Sequence, residues 1–163
     1  MFVWGILCNM FLNIRIYICK SPNSSGNQGL FVGGVRNGFN ARARANNFSI
    51  EEVSEVMQFL GAYGVKGFAC LNVLVFDNEL ERVERSLRAL ERAGVDAVIV
   101  QDVGVMALAR EVAPELPIHA STQQSISSAD GAEFARERGA TRVVVGRELV
   151  RLRGLLRLWL VRR

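Results

Sequence analysis

Three stretches of this chain share one layout: AYGVKGF (62–68), RAGVDAV (92–98) and ERGATRV (137–143) each place a glycine between an amphipathic run and an apolar one. A glycine there takes up the left-handed backbone that stops a helix, so each phrase predicts a helix delivering the chain into a strand. Repetition of that unit predicts a parallel α/β sheet. The predicted strands are Leu30–Gly33, Gly67–Leu71, Ala97–Val100, Ile118–Ala120 and Arg142–Val145, and the near-continuous apolarity of AVIV and RVVV fits strands covered on both faces. Between them, Ser49 and Glu52 form a capping box for a helix carrying Val53, Val56, Met57 and Leu60. Asn78 with Glu81 opens a second helix through Leu87 and Leu90, and further helices fit Met106–Val112 and Ala129–Arg138.

Length then limits the architecture. Strand starts at Lys66, Ala97, Ile118 and Arg142 lie 31, 21 and 24 residues apart. Eight such units need roughly 200 residues, the lower limit of a complete (β/α)8 barrel, and the chain has 163. The expectation is either a small open α/β sheet or a piece of a barrel, with about five parallel strands.

The two ends differ from the middle. Residues 1–50 carry five basic groups and no acid, residues 151–163 carry five Arg and no acid, and the remainder holds 10 basic against 16 acidic groups. The net charge of +4 therefore describes the ends and says little about a nucleic-acid footprint on the central fold. In Met1–Cys19 the apolar run is broken by Asn9, Asn13 and Arg15, short of the ~18 uninterrupted residues of a membrane span, and no basic region precedes it as in a signal peptide. Ser21–Gly29 reads as a loop. The tail RLRGLLRLWLVRR reads either as a basic amphipathic helix or as the accidental composition of an altered reading frame. Cys8, Cys19 and Cys70 are too few and too scattered for a disulfide framework or a structural zinc site, which points to a reducing compartment, cytoplasmic or organellar.

In parallel α/β folds the functional groups collect just past the carboxyl ends of strands. Here Asn72, Gln101 with Asp102, Ser121 with Gln123, and Arg147 with Glu148 follow four successive predicted strands. The competing structural reading makes Asp102 the cap of a helix starting near Val103 and pairs Arg147 and Glu148 with neighbouring charges. The single histidine, His119, stands two residues before Ser121. Side chains two apart on a strand stand parallel about 6.6 Å from each other, a poor geometry for a nucleophile and its base, so a hydrogen-bonded histidine facing a barrel interior is the expectation. Arg42 and Arg44, two apart in FNARARANNF, can present both guanidinium groups on one side toward a carboxylate or phosphate.

The motifs FNARARANNFS, LNVLVFDNELE, AGVDAVIVQDVGV, LPIHASTQ and VVVGREL, in this order and spacing, resemble the collagenase-like peptidases of family U32 over about Gly38–Leu149. The resemblance implies a TIM-barrel-like domain with these motifs at the ends of its second to sixth strands. It implies a peptidase of unassigned catalytic type, with hydroxylation of RNA bases as the alternative activity and a non-catalytic binding or regulatory role as a third. The candidate substrate-binding set is Arg42, Arg44, Asn72, Gln101, Asp102, His119, Ser121, Gln123, Arg147 and Glu148, with no catalytic residue assigned. Relatives often carry an iron–sulfur cluster, but no cofactor or metal is expected within this chain, because its three cysteines do not stand in for the cluster ligands. Peptide or RNA is the expected partner, with self-association or pairing with a full-length homologue as alternatives. Departures from the family pattern include a missing Pro-Ala-Gly turn near the start, Val150 leading into the tail after Leu149, and Gln124 where Met is usual. The resulting expectation is a divergent segment 1–29, a partial barrel 30–149 lacking its first and last units, and a divergent basic tail 150–163.

Overall fold

The glycine of each repeated phrase adopts the backbone its position demands. Gly64, Gly94 and Gly139 have φ of 65°, 73° and 95°, and each follows a helix and precedes a strand. The structure, a computed structural model, describes residues 18–20, 28–32, 39 and 48–145. Its elements are β1 (Ile18–Lys20), β2 (Gln28–Val32), α1 (Ile50–Ala62), β3 (Lys66–Leu71), α2 (Leu80–Arg92), β4 (Ala97–Val100), α3 (Val103–Val112), β5 (Ile118–Ala120), α4 (Ala129–Glu137) and β6 (Ala140–Val143). Short 3-10 turns at Asp77–Glu79 and Thr122–Gln124 precede α2 and α4.

The six strands lie in one sheet in the order of the chain, β1-β2-β3-β4-β5-β6. Among the described strands only β1 is antiparallel to its neighbour; β2 to β6 run parallel. All four helices contribute to a single core with one face of the sheet. Val53 and Leu60 of α1, Val83, Leu87 and Leu90 of α2, Val105, Met106, Ala109 and Val112 of α3, and Ala135 of α4 cluster with Ala69, Leu71, Val98, Val100, Ile118 and Ala120. The alternate strand positions Phe68, Ala97 and Ile99 form a second cluster with Cys70. Unbroken strand order with helices on one face is the winding of a barrel, whereas a doubly wound sheet reverses its order and carries helices on both faces. The described fold is thus a barrel-like arc of parallel strands, and the open-sheet alternative falls.

Local chemistry sets the element ends. The Ser49 hydroxyl accepts from the Glu52 amide at 3.3 Å while the Glu52 carboxylate accepts from the Ser49 amide at 2.6 Å, which is the capping box read from the sequence. Asp96 pins the start of β3, its carboxylate accepting from the Gly67 amide at 2.8 Å and its own amide donating to the Gly67 carbonyl at 3.0 Å. Exposed Glu–Arg pairs one turn apart line the outer face of α2, each worth only about 0.3–0.5 kcal/mol. Burial of the apolar face holds the fold together.

Four expectations about element ends need correction. Helix α2 does not open on Asn78 and Glu81; instead the Glu79 carboxylate accepts from the Phe76 amide at 3.1 Å, and a 3-10 turn leads into the helix at Leu80. Helix α3 begins three residues before Met106, because Asp102 caps it. Strand β2 begins at Gln28, inside the stretch read as a loop. Strand β6 covers Ala140–Val143 rather than Arg142–Val145. Ala140 pairs with Ile118, the register then slips, and Arg142 pairs with His119. Thr141 occupies the irregularity, its hydroxyl donating to the Ile118 carbonyl at 3.1 Å. Apolarity locates the centre of such a strand, while the bulge decides where pairing starts. The tail, most of Met1–Cys19, and Arg42, Arg44, Arg147 and Glu148 lie outside the described residues.

Candidate functional site

Strands β3, β4 and β5 end side by side, so the residues that follow them converge. The organising side chain is Asp102. One carboxylate oxygen accepts from the Gly104 amide at 2.7 Å and the Val105 amide at 3.1 Å, satisfying the first turn of α3. The other accepts from the Val75 amide at 3.3 Å and ties the loop after β3 to the end of β4. A Cβ on Gly104 would sit 3.1 Å from that first oxygen, so a residue without a side chain suits the close approach. The capping role weighed from the sequence is therefore present.

The end of β5 is tied to β4 in a similar way. The Val100 carbonyl accepts from the Ser121 amide and from the Gln124 side-chain amide, both at 2.8 Å. The Gln124 side-chain nitrogen also lies 3.1 Å from the Met106 sulfur. Ser121 is buried, and its hydroxyl accepts from the Gln123 amide at 3.2 Å, which starts the 3-10 turn. Ser125 then takes φ of 55°, a left-handed conformation that turns the chain toward α4, whose first turn is capped by Ser128 accepting from Gly131 at 3.0 Å.

These ties frame a cleft of about 400 Å³ at the carboxyl ends of the strands. Its polar lining comes from Gln101, Asp102, Gln123 and Gln124 together with the hydroxyls of Ser125, Ser127 and Ser128, and its apolar surface from Leu74, Val103, Ile126 and Phe134. Of the residues singled out from sequence, the structure brings Gln101, Asp102 and Gln123 to this cleft. Ser121 lies buried in the turn that carries Gln123, and Asn72 is half-buried just past β3. Sequence reasoning missed Leu74 and Phe134, and registered Gln124 only as a replacement. The available signal for Phe134 was its spacing four residues before Arg138 in an otherwise polar helix.

His119 belongs to a different face. It pairs across the sheet with Ile99 and Arg142 and presents its ring at an edge to Phe68, with centroids 5.0 Å apart. Among the described residues its partner is thus an aromatic ring, where a hydrogen bond was expected. Burial, with Arg142 and Lys66 adding positive charge nearby, lowers its pKa to about 4. The imidazole is neutral near pH 7, and the unfolded chain binds more protons than the folded one between pH ~6.5 and ~4. The stability that depends on a neutral His119 is complete above pH ~6.5 and is lost as pH falls toward 4. His119→Phe is expected to flatten that part of the stability profile, read as urea midpoints from pH 7 to pH 4; an unchanged slope would contradict the assignment.

Ser121, His119 and Asp102 do not act on one another: the hydroxyl engages a backbone amide, the ring packs on Phe68, and the carboxylate holds three amides. Residues 19–152 match the family model described as peptidase family U32. The chain belongs to peptidase family U32. Among its U32 relatives, a 23S rRNA 5-hydroxycytidine synthase of Escherichia coli (strain K12) is 40% identical over 132 residues, covering 81% of this chain and 19% of that protein. The tRNA hydroxylation protein P1 of Bacillus subtilis (strain 168) is 37% identical, with coverage of 76% and 29%. A collagenase of Porphyromonas gingivalis (strain ATCC BAA-308 / W83) is 35% identical, with coverage of 69% and 27%. A solved U32 peptidase structure superposes with a TM-score of 0.60 at 17% identity, covering 74% of this chain and 51% of that one, which supports the shared fold. The chain therefore spans less than a third of the length of these curated relatives.

An iron–sulfur cluster of the usual kind takes four thiolates, and this U32 chain has three cysteines in all. Cys70 lies in β3, and among the described residues no group of three or more His, Cys, Asp or Glu side chains is placed to hold a metal ion. The residues present do not fit such a cluster. Among the described residues, no helix is long and apolar enough to cross a membrane.

Proposed function

We propose that this chain supplies a substrate-holding cleft of a U32 protein that modifies RNA, and that the cleft receives an unpaired nucleobase. The observation that carries this reading is the composition of the cleft at the strand ends, where Gln101 and Gln123 bring carboxamides beside the apolar Leu74 and Phe134. A carboxamide both donates and accepts hydrogen bonds, as the edge of a base does, and a base also needs an apolar surface for its face. The rRNA- and tRNA-directed names of two relatives point the same way.

Peptide hydrolysis is the second reading, favoured by the collagenase among the relatives. It receives less support from the geometry. An effective general base has a pKa near the working pH, and that of His119 is held near 4. Ser121 and Asp102 are committed to backbone amides.

Fluorescence anisotropy of the 163-residue chain with a cytidine-rich single-stranded RNA and with a collagen-like peptide separates the two. The expected result is RNA binding with a Kd of roughly 10⁻⁴ to 10⁻⁶ M, weakening with salt, and no cleavage of the peptide by mass spectrometry. Peptide cleavage without RNA binding would overturn the proposal.

A further inference from the structure

Phe134 lines the cleft with 45% of its surface exposed. It is nevertheless held from one side. The Arg138 guanidinium lies over its ring, 3.3 Å from the centroid, and the same guanidinium donates to the Phe134 carbonyl at 3.3 Å. A ring clamped in this way has little further freedom to lose on binding, and a second planar group would stack on the face away from the cation. Gln101 and Gln123 line the same open cleft.

We propose that Phe134, backed by Arg138, is the stacking platform that holds the base in the cleft, with Gln101 and Gln123 meeting the base edge. This rests on the RNA reading above and deepens it: Phe134 becomes a positioning residue that touches substrate, and Arg138 acts through it. The bland alternative is an exposed helical Phe–Arg pair that stabilises α4 alone. The two differ in what they do to a nucleic acid, because a stacking platform senses the presence of a base and a helix-stabilising pair does not.

The test uses the full chain, a fluorescein-labelled cytidine-rich RNA, and the same RNA with its central bases replaced by abasic residues. Base–aromatic stacking is worth enough for Phe134→Ala to weaken binding of the intact RNA roughly tenfold, while Phe134→Trp restores it. Wild-type chain is expected to prefer the intact RNA over the abasic one, and Phe134→Ala to lose that preference. Circular dichroism of both variants checks that the fold is retained, as the exposure of the ring predicts. Wild-type binding with equal affinity of Phe134→Ala for the intact RNA overturns the platform and leaves the RNA reading standing. An equal loss on intact and abasic RNA does the same. Absence of RNA binding by the wild-type chain overturns both.

Discussion

Leu87→Ala is expected to lower the stability of the chain by about 2–5 kcal/mol, whereas Leu80→Ala, seven residues earlier on the same helix, is expected to change it by no more than about 0.5 kcal/mol. Leu87 is fully buried in the core that α2 shares with the other helices and one face of the sheet. Its truncation removes apolar burial and leaves a cavity that a close-packed interior fills only in part. Leu80 sits at the first position of α2 and is 40% exposed, so its loss removes little. Urea denaturation followed by circular dichroism reads both. A difference smaller than about 1 kcal/mol between the two variants would refute the burial of Leu87 in that shared core.

Asp102→Ala is expected to cost about 2–3 kcal/mol and, on the proposed reading of the cleft, to weaken RNA binding roughly tenfold, because three backbone donors lose one acceptor group. Two of them, Gly104 and Val105, open α3; the third, Val75, belongs to the loop that brings Leu74 to the cleft. The loss therefore frays a helix and frees a cleft wall together. Asp102→Asn retains an acceptor oxygen but has an NH₂ in place of the second, so it can serve α3 or Val75 and not both. A partial recovery of stability with a smaller recovery of binding is the expected pattern. Should Asp102→Ala match the wild-type chain in urea midpoint, the linking role would be disproved; should it lose stability but not binding, Asp102 would be a cap without influence on the cleft.

Much of the local structure was legible because it depends on neighbours in the chain. The Ser49–Glu52 box works within one turn, and the glycines at 64, 94 and 139 meet a backbone requirement at their own positions. Four consecutive apolar residues at Ala97–Val100 read correctly as a strand buried on both faces, and all four are buried, whereas the same reading of RVVV fails, Arg142 and Val145 being exposed and Val143 and Val144 half-buried. The rule that chemistry gathers past strand ends found Gln101, Asp102 and Gln123 because parallel strands place their following loops on one side. The same rule had no purchase on Phe134, which reaches the cleft from inside a helix, nor on Gln124, whose importance lies in a bond to the carbonyl of Val100, twenty-four residues away.

The amino-acid order by itself determined the succession of helix, glycine turn and strand, since backbone preference, capping and apolar periodicity act over a few residues. Only the tertiary structure decided that the helices share one face, that Thr141 interrupts the pairing of β6, that His119 lies against Phe68, and which polar groups share the cleft with Phe134. Those outcomes depend on pairing and packing between different elements of the fold, where the free energy belongs to surfaces formed jointly and no single stretch of sequence carries it.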